Sequence, residues 1–171
     1  MPPPLRLNAV AFISPQNHPI LIRTFQKGDE LKYHYIAHTS LDVIEERTAG
    51  NTAGGDAKSN PSSNECYLGL LYAMDDVAAY GYITPLKVKI VIALALTDSV
   101  VRDAELISAF KALHMALYHA VSNPFLKLDA ATTSNEQYPY LLAGGPKWKN
   151  FRRRVDEISR ALGGAGAAPI S

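Results

Sequence analysis

His34 and His38 stand four residues apart, so on a helix both project from one side, a spacing that can grip a metal ion. Asp42, one turn further along, would supply a third ligand. The residue after the first histidine is Tyr35, so the metalloprotease pattern lacks its general base. Spacing alone does not specify a metal. Paired histidines on an amphipathic helix more commonly form a solvated or partner-facing edge, and that reading is adopted: no metal, no cofactor.

No nucleophile and base assemble either. Ser40 is too close in sequence to His38 to point the same way from a helix. Cys66 has no flanking cation to lower its pKa. The glycines of residues 49–56 lack the Gly-Lys-Ser/Thr ending of a phosphate loop. Asp75-Asp76 has the composition of a hairpin turn, where Asp is expected for turn chemistry alone. The expectation is a protein that is not an enzyme.

Two further motifs carry a functional and a structural reading. Asn123-Pro124-Phe125 matches a tripeptide recognised by endocytic modules, yet it follows a helical pattern, where a proline commonly marks the helix end. The structural reading is preferred. Lys147, Lys149, Arg152, Arg153 and Arg154 form a basic cluster around an aromatic stripe. Such a cluster suits an anionic membrane surface, and equally a solvated helix face diluted by Asp156 and Glu157. Peripheral membrane contact stays open.

The elements that must position these residues follow from periodicity. Residues 7–14 and 20–25 are apolar and β-branched around the turn cluster Pro15-Gln16-Asn17-His18-Pro19, which reads as a hairpin. A helix is expected from Asp29 to about Arg47, with Tyr33, Ile36, Ala37, Ser40, Val43 and Ile44 on the face toward a sheet. Residues 49–64 are almost wholly small and polar and read as a flexible loop insertion. Three strands at 66–72, 78–84 and 88–96 follow with connections too short for parallel crossovers, so they pair antiparallel. The third is apolar on both alternating sets, which marks a central strand. A helix over 102–122 carries the stripe Leu106, Phe110, Leu113, Leu117 and Val121. After the irregular stretch 127–146, a last helix over 147–162 presents Trp148, Phe151, Val155, Ile158 and Leu162. Residues 163–171 read as a mobile tail.

The predicted order β-β-α-β-β-β-α-α defines one α+β domain over residues 1–171, a five-stranded antiparallel sheet flanked by helices. Its 171 residues suffice for a full core, and a composition of 47% hydrophobic and 19% charged residues is that of a globular domain. The net charge of +1 excludes a global field toward nucleic acid. One cysteine excludes an intramolecular disulfide. The N-terminus lacks a signal-peptide pattern, and the longest apolar run, 90–96, is far short of the roughly 20 residues that span a bilayer, so a cytoplasmic protein is expected.

That order is the longin arrangement, a profilin-like fold, and particular residues extend the likeness. The run from Glu30 to Ile44, ELKYHYIAHTSLDVI, resembles the first helix of sedlin-like proteins. Tyr67-Leu68-Gly69-Leu70-Leu71-Tyr72, Tyr80-Gly81-Tyr82-Ile83-Thr84 and Lys87-Val88-Lys89 resemble the central strands of that family. Arg102-Asp103, Phe110 and Ser122-Asn123-Pro124-Phe125 resemble its second helix and exit. The likeness runs colinearly over residues 7–125 and is nearest to the subunit 2-like branch of these longin subunits of TRAPP vesicle-tethering complexes.

The resemblance implies a non-catalytic adaptor in a complex that activates Rab-type GTPases in ER–Golgi and Golgi–endosome transport, peripheral at those membranes. It implies partners among the other small subunits and the larger TRAPP II-type subunits, with the GTPase engaged only through the complex. A longin module regulating a SNARE or coat component is the alternative. A SNARE would require a heptad segment and an anchor, which the residues after Leu162 do not supply.

The helix side opposite the sheet carries Leu31, His34, Tyr35, His38, Leu41, Asp42 and Glu45, unusually apolar and aromatic for a solvent face. Leu31, Tyr35, His38, Leu41 and Asp42 are the expected partner-binding residues. Tyr35 and Leu41 would provide anchor area and Asp42 a charged contact that fixes register. The family likeness places Ser40-Leu41-Asp42 at such a contact. The competing reading is that residues 127–146 or the last helix cover this face.

Overall fold

Seven consecutive buried residues form strand β1 (Leu7–Ile13), and a strand with no solvent face must be covered on both sides. The structure, a computed structural model, describes residues 5–52, 66–96, 101–123 and 148–163. The remaining elements are β2 (Pro19–Thr24), α1 (Glu30–Thr52), β3 (Tyr67–Met74), β4 (Val77–Ile83), β5 (Lys89–Ala95), α2 (Asp103–Val121) and α3 (Lys149–Leu162). The five strands make one antiparallel sheet in the order β2-β1-β5-β4-β3, so β5 is central, as its two-sided apolar pattern predicts. This is the expected α+β longin architecture.

The pleat sorts the strand residues into two layers. Val10, Phe12, Ile90, Ile92 and Leu94 point to one side, where they meet Leu106, Phe110, Leu113 and Leu117 of α2 and Phe151 and Val155 of α3. Ala9, Ala11, Ile13, Ala79, Val91 and Ala93 point to the other, where they meet Tyr33, Ile36, Ala37 and Ile44 of α1. The first layer is stiffened by aromatic pairs. Phe12 and Phe151 meet edge to face at 5.1 Å, Trp148 and Phe151 at 5.8 Å, and Tyr82 stacks on Phe110 at 5.3 Å.

Side-chain ties close the two edges of the sheet. On β2, Arg23 donates through Nε to Asp156 Oδ1 at 2.8 Å and through Nη2 to Oδ2 at 2.9 Å, pinning α3 to that edge. On β3, the Arg47 guanidinium reaches from α1 to the carbonyl oxygens of Leu68 and Leu70, the latter at 2.6 Å. The turns use the residues that tolerate the left-handed region: Asn17 at φ 65° between β1 and β2, and Asp75 at φ 52° between β3 and β4.

Three expectations are corrected. Leu41 is 7% exposed and belongs to the core beneath α1, not to its outer side. α1 continues five residues past Arg47 to Thr52, so the first part of the proposed 49–64 loop is helical. An established helix extends at little cost per residue, and Arg47, anchored to β3, holds that end against the sheet. Val121 is 45% exposed, so the buried stripe of α2 stops at Leu117. The rest of the 49–64 segment, residues 124–147 (with Pro124, Phe125 and Lys147) and the 164–171 tail lie outside the described residues.

Candidate protein-docking face

α1 begins at Glu30 just after Gly28, whose φ of 103° turns the chain from β2 into the helix. The Asp29 carbonyl accepts the Tyr33 amide at 3.3 Å, and Lys32 Nζ lies 2.7 Å from Asp76 Oδ1 in the β3–β4 turn. That contact holds the Asp76 carboxyl below its ordinary pKa, chiefly through the Lys32 hydrogen bond. Both ends of the helix are thus fixed, by Lys32 at the start and Arg47 near the finish.

The inner side sits low on the sheet because its central residues are small. Ser40 is fully buried, and its hydroxyl donates to the Ile36 carbonyl at 2.7 Å. Tyr72 OH donates to that same carbonyl at 2.8 Å. Desolvation at this contact raises the Tyr72 pKa, although the nearby Ser40 and Thr39 hydroxyls oppose it. The phenol therefore stays a neutral donor that stitches β3 to the helix.

The outer side is different. Leu31 is 84% exposed and Tyr35 59% exposed, and His38 and Asp42 are exposed as well. Their spacing of four, three and four residues aligns them in one ridge roughly 16 Å long. Four of the five expected docking residues are thus brought together, and Leu41 is not among them. His34 and Glu45 flank the ridge, also exposed. α3 does not cover it, since α3 packs with α2 on the opposite face of the sheet.

This ridge alone is small. At about 10 Å wide it offers on the order of 200 Å², well under the roughly 800 Å² per partner of a standard interface. An interface of standard size centred on the ridge would need adjoining surface as well. Leu70 on edge strand β3, 46% exposed, is a residue that sequence reasoning missed, but it pairs with Tyr80 of the α2 layer, so it stands at the sheet edge on the side away from the ridge. Its signal was an apolar residue at an alternating position of an edge strand.

The ridge offers apolar area, an aromatic ring, an imidazole and a carboxylate. Among the described residues no group of three His, Cys, Asp or Glu side chains is placed to hold a metal ion. Among them, too, no buried side-chain nitrogen or oxygen lacks a hydrogen-bond partner. No described helix is long and apolar enough to cross a membrane.

Comparison with known sequences settles the family. The profile of the Sedlin family matches residues 12–138, from β1 through α2 and beyond. The chain belongs to the sedlin family. Among relatives of this sedlin chain, the trafficking protein particle complex subunit 2-like protein of Bos taurus is 40% identical over 116 residues, covering 68% of this chain and 80% of the relative. Its Rattus norvegicus counterpart is 39% identical over the same shares. The Dictyostelium discoideum protein of that name is 36% identical over 135 residues, covering 77% of this chain and 90% of its own length.

Proposed function

We propose that this sedlin-family chain is a non-catalytic assembly subunit of a trafficking protein particle complex, joined to a neighbouring small subunit through the outer ridge of α1 and the adjacent β3. The parent complex activates a Rab-type GTPase in ER–Golgi and Golgi–endosome transport, and the chain is cytoplasmic and peripheral at those membranes. The exposed ridge of Leu31, Tyr35, His38 and Asp42 carries the docking part of this reading. The names of the relatives support the assembly part.

In this arrangement Tyr35 and Leu31 insert into the partner, since large exposed aromatics and aliphatics supply most interface energy. Asp42 at the end of the ridge pairs with a partner cation and selects the register. Leu41 acts from beneath, fixing the position of the helix.

The test is a tagged pull-down from cell extract with subunits identified by mass spectrometry, wild type beside Asp42→Tyr. Wild type recovers trafficking protein particle subunits and the variant loses them, while the isolated variant keeps its melting temperature because position 42 faces solvent. Equal recovery by both proteins overturns the assignment of this ridge. Recovery of no such subunit by wild type overturns the assembly reading.

A further inference from the structure

The net charge of +1 conceals an uneven distribution. α1 carries Glu30, Asp42, Glu45 and Glu46 against Lys32 and Arg47. α3 carries Lys149, Arg152, Arg153, Arg154 and Arg160 against Asp156 and Glu157. These helices cover opposite faces of the sheet, so an acidic helix and a basic helix lie on opposite sides of the molecule.

The acids on α3 do little to cancel its cations. Asp156 is turned toward β2 and held at both oxygens by Arg23, a cation contributed from outside the helix. Glu157 meets Arg153 at 3.7 Å with both side chains largely in water, where such a pair is weak. With Arg23 counted, six cations stand against two carboxylates on α3 and its contact with β2, whereas the neighbouring α2 carries Asp103, Glu105 and Lys111. Lys149, Arg153, Arg154 and Arg160 are all exposed.

Stability does not explain this pattern. Phe151 and Val155 already bury the inner side of α3, so the outer side was free to carry any polar residues. The first turn contains no acid, although the helix dipole favours Asp or Glu there and disfavours cations. Lys149, Arg152, Arg153 and Arg154 crowd into the first six residues instead.

We propose that the outer face of α3 rests on the anionic surface of a phospholipid membrane. A protein partner is the weaker fit, because none of the exposed large hydrophobic residues lies on α3 and protein interfaces need such anchors. A charged lipid surface needs no anchor or pocket, only several long cations on a convex face, within the range of four to eight found in such patches. The proposal stands apart from the α1 docking assignment, and the opposite placement of the two faces allows both contacts at once.

The test is flotation of the purified full-length chain with phosphatidylcholine vesicles, with and without phosphatidylserine. Wild type floats with the serine-containing vesicles alone and is released by added salt. The triple variant Lys149→Gln, Arg153→Gln and Arg160→Gln partitions roughly a hundredfold more weakly, about fivefold per cation lost. Glu157→Gln, which removes an acid, binds several-fold better and guards against mistaking unfolding for lost charge. Asp42→Tyr floats like wild type, and the triple variant still recovers whatever subunits wild type recovers, so failure of one assignment is distinguishable from failure of the other. Equal flotation with neutral vesicles, an unaffected triple variant, or binding to an acidic peptide such as polyglutamate without vesicle binding would overturn the proposal.

Discussion

Beneath α1 the sheet presents Ala9, Ala11, Ala79 and Ala93; beneath α2 and α3 it presents Phe12, Ile90, Ile92 and Leu94. The same strands supply both sets, alternating residue by residue. Small residues let one helix settle on the sheet through backbone and Cβ contacts, with Ser40 fully buried on its inner side. Large residues hold the other pair of helices at a distance filled by interlocking rings. The outer faces differ too. α1 leaves a leucine and a tyrosine in water, whereas α3 exposes charge. A helix held low and tied at both ends is a rigid platform, which lowers the ordering cost of binding.

The comparison breaks most visibly in the aromatic layer. Phe151→Ala removes a ring packed between Phe12 and Trp148 and is expected to lower stability by about 3–5 kcal/mol, measured by denaturant unfolding. A pair of leucines separates the two sides of α1. Leu41→Ala should cost about 2–5 kcal/mol, while Leu31→Ala should stay within about 0.5 kcal/mol. Equal effects in the same unfolding assay would contradict the division of faces. The close layer is tested by enlargement: Ala11→Leu, with no room beneath α1, is expected to cost about 1–3 kcal/mol.

The smallest effect is a pH dependence on the α2 side. His114 lies 6.2 Å from the ring of Tyr82, and burial lowers its pKa below the ordinary 6.5. The unfolded chain therefore binds the proton more readily than the folded one, and this contribution to stability is lost as pH falls through 6.5. Thermal melts should show that step, and His114→Asn should remove it.

Much of this plan was legible because strand alternation and helical periodicity respond directly to burial. β1 and β5 are apolar at every position but Asn8 and Lys89, and they lie side by side inside the sheet, where both faces need cover. Leu41 was misplaced for a geometric reason. It sits at the flank of the inward arc, and the wheel cannot say how far a twisted sheet wraps around a helix. The end of α1 was misread because composition argued for a loop, while the tertiary tie through Arg47 is invisible to local sequence. The exposed ridge on α1 was visible as an apolar excess, but the exposure of Leu70 needed the fold, since only the sheet order places β3 at an edge.

Arg47 has a consequence for life at high protein concentration. A rim of unpaired strand backbone invites copies of a chain to join rim to rim, a route to insoluble material. With its guanidinium on the oxygens of Leu68 and Leu70, two of the acceptors such an encounter would use are already taken. The side chain that steadies the helix also makes this rim a poor template for recruiting its own kind.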